Sequence, residues 1–297
     1  MAAILAVQCA LIVAASLAGG SLPEWIRLTH RRMQFAMSFV GGLMLGIALL
    51  QLLPHAAAEL GVRQASYAVL VGLLLMFFLL RTFHFHQHEP LEPPHVPGGD
   101  DCEHDHHHHH APSHGAGDST EKAHRLSWGG VAFGLAVHTL IDGIALGAAV
   151  RADTDPERGM SWLAGLGVFV AILAHKPLDA VSITSLMSAG GWSPRARLTV
   201  NAIFAAMCPV GALLFVMGVD QFGTIENQLI SSALGISAGV FLCISMSDLL
   251  PEIEFHTHDQ VWLTVCLVAG VATAACLSML EPNLVAWSWV DRPLLPG

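Results

Sequence analysis

Charged side chains are scarce in this chain. Asp, Glu, Lys and Arg make up 12% of 297 residues, against about 25% in ordinary soluble domains. That scarcity excludes a water-solvated globular domain as the main architecture. A basic block is also missing. With 13 Lys and Arg against 23 Asp and Glu, no nucleic-acid partner is expected. Cysteine is sparse, and Cys9, Cys208, Cys243, Cys266 and Cys276 fall in apolar segments with no CxxC spacing. A disulfide framework is therefore not expected, and these five read as packing residues. The first apolar run has no charged n-region before it and no convincing cleavage site, so it reads as a retained helix and not as a removable signal peptide.

What fills the chain instead is apolar: 54% hydrophobic residues and a mean hydropathy of +0.58. Apolar runs occupy about 2–20, 35–57, 66–82, 128–150, 161–187, 198–218, 231–250 and 261–281. Each approaches the ~20 residues that span ~30 Å of hydrocarbon as a helix, the structure that satisfies its own backbone there. The sequence predicts an all-α membrane protein with eight transmembrane helices. Three precede a long polar stretch (1–82) and five follow it (127–297).

Lys and Arg in the connections set the orientation. If the N-terminus is outside, the inner connections hold Arg27, Arg31, Arg32, Arg81, Lys122, Arg125, Arg195 and Arg197, and the outer ones only Arg63, Arg151, Arg158 and Arg292. The positive-inside rule then puts both termini outside and residues 83–126 in the cytoplasm. No targeting motif is present, which suits a bacterial inner membrane and a eukaryotic internal membrane alike; a plasma (inner) membrane is the expected location on base rates.

The 83–126 stretch holds 12 of the 18 histidines, including His104, His106, His107, His108, His109 and His110. Flanked by Pro, Gly and acidic residues, it has too little apolar surface to fold alone and is expected to be disordered. Neutral imidazoles bind Zn²⁺, Cu²⁺ and Ni²⁺, so the segment reads either as a weak metal buffer or sensor, or as a solvated linker that binds metal incidentally.

Two His-x-x-x-Asp tetrads lie near the middle of the fourth and fifth apolar runs: His138 with Asp142, and His175 with Asp179. An i,i+4 spacing puts both members of a tetrad on one helix face. Ionisable groups at bilayer depth cost about 2.5–3.5 kcal/mol each on insertion scales, so they are seldom there without partners. Because the two helices run in opposite directions and the histidines share a depth, the four groups can surround one ion at ~2.0–2.2 Å from its N and O donors. Gly143 and Gly147 permit close helix approach beside the first tetrad. Pro177 takes a donor from the Leu173 carbonyl and is expected to open the fifth helix.

A repeat is also visible. Residues 42–55 align without gaps to residues 239–252 at a constant offset of 197, with Leu-Leu-Pro in both copies. The second and seventh helices run in opposite directions, so the expectation is an inverted repeat, helices 1–3 and 6–8, around helices 4 and 5. Pro54 and Pro251 are expected to loosen their helices near opposite faces. His55 and Glu59 would then line one mouth of a pathway, and Asp248, Glu252 and Glu254 the other.

On these residues the chain resembles the ZIP (Zrt/Irt-like protein) family of divalent-metal transporters. The resemblance rests on eight helices, the His-rich loop after the third, His138-x-x-x-Asp142-Gly143, His175-x-x-x-Asp179, and Asp248-Leu-Leu-Pro-Glu252 in the seventh helix. It implies influx of Zn²⁺ or a related ion to the cytoplasm, a homodimer, and a site carried by the fourth and fifth helices. Many ZIP proteins have Asn after the fourth-helix His and an acidic residue after the fifth-helix one; this chain has Thr139 and Lys176. That is similar to the subgroup of the ninth human ZIP protein and implies one transport site, with the Lys176 ammonium in place of a second cation and balancing Asp142 or Asp179. Met44 matches a position where a thioether approaches the site, although a lone Met is commonly packing.

Zn²⁺, Cd²⁺, Fe²⁺ and Mn²⁺ all suit mixed N/O ligands, so ligand type does not select among them. Two other classes remain open at this point: a metal-sensing membrane receptor, and an intramembrane zinc hydrolase. The latter would need an open coordination position and a general base, and no HExxH motif lies in the helices. The expectation is a transporter and not an enzyme.

Overall fold

The computed structural model describes residues 1–25, 30–83, 117–154, 163–255 and 260–280. Among them the order is α1 (Ala2–Trp25), α2 (His30–Ile47), a π-helical stretch (Ala48–Leu52), α3 (Leu53–Leu60), α4 (Val62–Phe83), α5 (Gly117–Ala152), α6 (Leu166–Ala189), α7 (Pro194–Val219), α8 (Glu226–Phe255) and α9 (Gln260–Leu280). One 3-10 turn, Gly223–Ile225, leads into α8. No strand occurs among the described residues. Among the described residues, eight segments are long and apolar enough to cross a bilayer, with α2, the π stretch and α3 forming a single span, Arg31–Leu60.

The spans sort into an inner and an outer set. In α2–α3, α5, α6 and α8, 50–61% of the apolar window is buried, whereas in α1, α4, α7 and α9 the share is 17–33%. The outer helices turn large apolar side chains outward, among them Leu70, Val71 and Phe78 on α4 and Leu213, Leu214 and Met217 on α7. Lipid is as apolar as these side chains, so helix association must come from close packing and interhelical polar contacts. Small residues supply the close packing. A Cβ at Gly143 of α5 would collide with the Cys208 carbonyl oxygen of α7, and one at Gly211 of α7 with the Leu140 carbonyl oxygen of α5. Only glycine on both sides lets these two backbones meet where α5 carries its tetrad.

Gly42 and Gly239, the aligned first residues of the repeated segment, are used alike. Gly42 of α2 lies against the Leu267 carbonyl of α9, and Gly239 of α8 lies against the Val69 carbonyl of α4. The proline that follows in each copy behaves differently. Ahead of Pro54 the chain widens into π-helix over Ala48–Leu52, which relieves the clash a proline ring makes with the preceding turn. Pro251, expected to loosen its helix, lies inside α8, which continues to Phe255.

Two more expectations change. The sequence bounds the His-rich stretch at 126, and α5 begins at Gly117. Residues 84–116, including His104 and His106 to His110, lie outside the described residues. Pro177, expected to open its helix, sits inside an α6 that runs unbroken from Leu166 to Ala189. The backbone of Pro177 is covered by α1, where Gly19 leaves no room for a Cβ.

Candidate metal centre

Helices α5 and α6 bring their two tetrads together in the interior. His138 and Asp142 are 1% and 0% exposed, His175 is 4% exposed, and the Asp179 side chain is 18% exposed. His175 Nε2 lies 3.2 Å from Asp142 Oδ2 and 3.8 Å from Asp179 Oδ2. His138 Nε2 lies 3.4 Å and 3.8 Å from the same two oxygens. Four donors held around one ion with ~2.1 Å bonds in a tetrahedron would stand about 3.4 Å apart, so these separations are of the right size for Zn²⁺. One ligand atom from each of His138, His175 and Asp179 falls within 4.8 Å of the other two.

Each imidazole is placed by its surroundings. The Nδ1 of His175 contacts the Ala171 carbonyl oxygen at 2.8 Å, which fixes the ring and aims Nε2 at the carboxylates. Phe241 of α8 stands edge-on to the same ring, with centroids 6.3 Å apart. The His138 ring lies 5.4 Å from that of His175, and neither of its nitrogens has a hydrogen-bond partner. Leaving buried polar atoms unsatisfied costs about 1–3 kcal/mol each. A cation between the rings would give the His138 Nε2 a partner.

Lys176 is wholly buried, and its side chain turns into the centre and not toward a membrane face. Its Nζ donates to Asp142 Oδ2 at 2.6 Å, to Asp179 Oδ2 at 3.1 Å and to Thr139 Oγ1 at 3.1 Å. It also lies 3.4 Å from His175 Nε2 and 5.4 Å from the centroid of the Phe204 ring. Thr139 Oγ1 itself donates to the Leu135 carbonyl at 2.7 Å. The two positions at which this chain departs from the common ZIP pattern, 139 and 176, therefore touch each other.

A family profile described as "ZIP Zinc transporter" matches residues 3–278. This chain belongs to the ZIP zinc transporter family. Cattle (Bos taurus) Zinc transporter ZIP1 is 25% identical over 283 residues, covering 88% of this chain and 83% of its own. Human (Homo sapiens) Zinc transporter ZIP1 is 25% identical over 273 residues, 85% and 80% of the two chains. Zinc transporter ZIP9 from Micropogonias undulatus is 35% identical over 131 residues, 43% of this chain and 40% of its own. With eight apolar helices of spanning length, this ZIP protein is a multi-pass integral membrane protein.

The other sequence-derived candidates of this ZIP protein lie on α2, α3 and α8. Met44 is buried on α2 in the apolar core. His55 and Glu59 are on α3, where Glu59 is exposed and His55 half-buried. Asp248, Glu252 and Glu254 are in the last turns of α8, and their side chains lie outside the described residues. Two polar residues beside His55 escaped the sequence reading. Gln51 on the π stretch and Asp153 just after α5 border the same recess as His55. Gln51 was a lone amide in an apolar run, and Asp153 sat among loop residues with no motif around it.

Proposed function

We propose that this protein carries divalent cations, Zn²⁺ foremost, across the membrane toward the cytoplasm through one His/Asp site at mid-membrane. His138, Asp142, His175 and Asp179 would hold the ion, with Lys176 standing where a binuclear centre would have its second cation. The observation that carries this reading is the convergence of four ligand-type side chains from α5 and α6, with N to O separations of 3.2–3.8 Å, in the interior of the helix bundle. The relatives' names, zinc transporters in cattle, human and fish, support Zn²⁺ as the transported substrate and a transport role in place of catalysis.

Both termini outside, a plasma-membrane location and a homodimer belong to the same proposal. So does the inverted repeat, which is supported by the matching use of Gly42 on α9 and Gly239 on α4. Met44 would lend a thioether to the site. The charged ends of α3 and α8 would border the two mouths of the pathway, His55 and Glu59 at one and Asp248, Glu252 and Glu254 at the other. The histidines of the cytoplasmic loop, His104 and His106 to His110, would bind metal on the delivery side.

Flux separates transport from sensing or hydrolysis. Purified protein in liposomes loaded with a fluorescent Zn²⁺ indicator should give saturable entry well above that of empty liposomes. Metal binding without entry would assign the chain to a receptor and overturn the transport reading.

A further inference from the structure

Arg151, in the last turn of α5, holds two carboxylates from two other helices. Its Nη2 lies 2.6 Å from Glu226 Oε1, an oxygen that also accepts from its Nε at 2.6 Å, and 3.3 Å from Asp220 Oδ1. Asp220 stands at the end of α7 and Glu226 begins α8, so one guanidinium grips both ends of the α7–α8 connection. Arg151 and Glu226 each suit the helix end they occupy, a cation at a C-terminus and an anion at an N-terminus. Asp220 does not, since it puts a carboxylate where carbonyl dipoles are already negative. Arg151 offsets that charge.

The two carboxylates belong to different packing units. Helices α5 and α7 interlock through Gly143 and Gly211, each against a backbone carbonyl of the other. Helices α8 and α4 interlock in the same way, Gly239 against the Val69 carbonyl and Gly72 against the Ile236 carbonyl. The Arg151–Asp220 contact therefore lies within one unit, and the shorter Arg151–Glu226 contact runs between the two. The α7–α8 connection carries a joint, Gly223 at φ +37°, with open space where a Cβ would stand. The centre meets solvent unevenly. The Asp142 side chain, toward the end where α5 stops, is 0% exposed, and the Asp179 side chain, toward the opposite end, is 18% exposed. Leu146, one turn past Asp142 on the same face, is also fully buried. That end of the bundle is shut, and Arg151 lies about 13 Å further along α5 at 1.5 Å per residue.

We propose that the Arg151–Glu226 ion pair is a latch that holds this end closed, and that Arg151 keeps Asp220 as its partner when the latch opens. Separating α5 and α7 from α8 breaks the contact to Glu226 and preserves the one to Asp220, so the guanidinium is never left alone. A strong lock would stop a cycle that has to pass through both states. The three side chains are part-exposed, and such a pair biases a two-state equilibrium by about twofold to fivefold. That the shut end opens in turn rests on the transport reading above.

The test uses the full chain in lipid nanodiscs with Leu146→Cys, and follows the rate at which an uncharged, water-soluble methanethiosulfonate labels the introduced thiol. The chain without Leu146→Cys supplies the background from the native cysteines. Adding Glu226→Gln or Arg151→Gln should raise the labelling rate about twofold to fivefold. Reversing the pair, Arg151→Glu with Glu226→Arg, should return most of that rise, whereas Asp220→Asn alone should slow labelling. The proposal falls if neither neutral variant changes the rate, or if the reversed pair labels as fast as they do. A rise with Asp220→Asn equal to that with Glu226→Gln would overturn the hand-over. Zn²⁺ flux through the unmodified chain is measured separately: labelling that follows the pair without flux would keep the latch and sink transport, and flux with indifferent labelling would do the reverse.

Discussion

The Nζ of Lys176 lies 2.6 Å from Asp142 Oδ2, the oxygen that also lies 3.2 Å from His175 Nε2 and 3.4 Å from His138 Nε2. An internal ammonium is thus held against an oxygen that faces both imidazoles. A metal ion approaching the two histidines meets a carboxylate already partnered. Replacing Lys176 by Met should leave Asp142 buried without that partner, and breaking a buried ion pair from one side costs about 3–5 kcal/mol. The expected outcome is a lower melting temperature for Lys176→Met in detergent, with more of the loss restored by added Zn²⁺ than the unmodified protein gains, since a bound ion stabilises by mass action. Equal melting temperatures would remove the pairing from the account.

Thr139 accepts from Lys176 at 3.1 Å, so changing both residues alters one place in space. Lys176→Asp with Thr139→Asn should supply ligands and room for a second ion. Cd²⁺ titration of the double variant, with the loop histidines replaced, should give one more equivalent than the parent. An unchanged stoichiometry would contradict the view that the ammonium stands in a cation's place.

Each of His138→Ala, Asp142→Ala, His175→Ala and Asp179→Ala should reduce the initial rate of Zn²⁺ uptake tenfold or more while the protein remains monodisperse in detergent. Each histidine Nε2 lies 3.2–3.8 Å from an oxygen of each aspartate across two helices, so removing one leaves the rest incomplete. Near-normal uptake by two of the four would sink the shared-site reading.

The spans could be read from the sequence because a bilayer imposes a length, and the eight apolar runs carry it without help from packing. The tetrads were visible because i,i+4 spacing fixes one helix face whatever surrounds it. The face each helix turns inward was not, and neither was the fit of α5 onto α7 through Gly143 and Gly211, because helix partners leave no mark in the sequence of either helix. The uneven prolines make the same point: Pro54 is preceded by a π-helical stretch, while Pro177 sits in an unbroken helix with α1 against its backbone. Asp153 and His55 are 98 positions apart, and no local pattern connects them.

Shortening the His-rich loop should leave the transport cycle working. Because α5 starts at Gly117, the deletion should stop at residue 116. Removal of 100–116 is expected to keep Zn²⁺ flux in liposomes within about twofold, while the metal sensitivity of expressing cells changes. Loss of flux by a folded deletion variant would place the loop in the permeation path.

Gly42 and Gly239 each face a backbone carbonyl of a neighbouring helix. Gly42→Ala and Gly239→Ala should each cost about 1–3 kcal/mol, as overpacking of a tight contact does, and the inverted repeat predicts similar losses at both. Thermal melts of the two single variants check this. A large loss at one position and none at the other would argue against equivalent roles.

The most direct measurement is a cryo-EM map of the unmodified protein in lipid nanodiscs with Cd²⁺. The account predicts one ion within the membrane-embedded centre, bound by His138, Asp142, His175 and Asp179, with the Lys176 Nζ beside it. Two ions in that centre, or a lone ion whose ligands exclude both histidines, would contradict it.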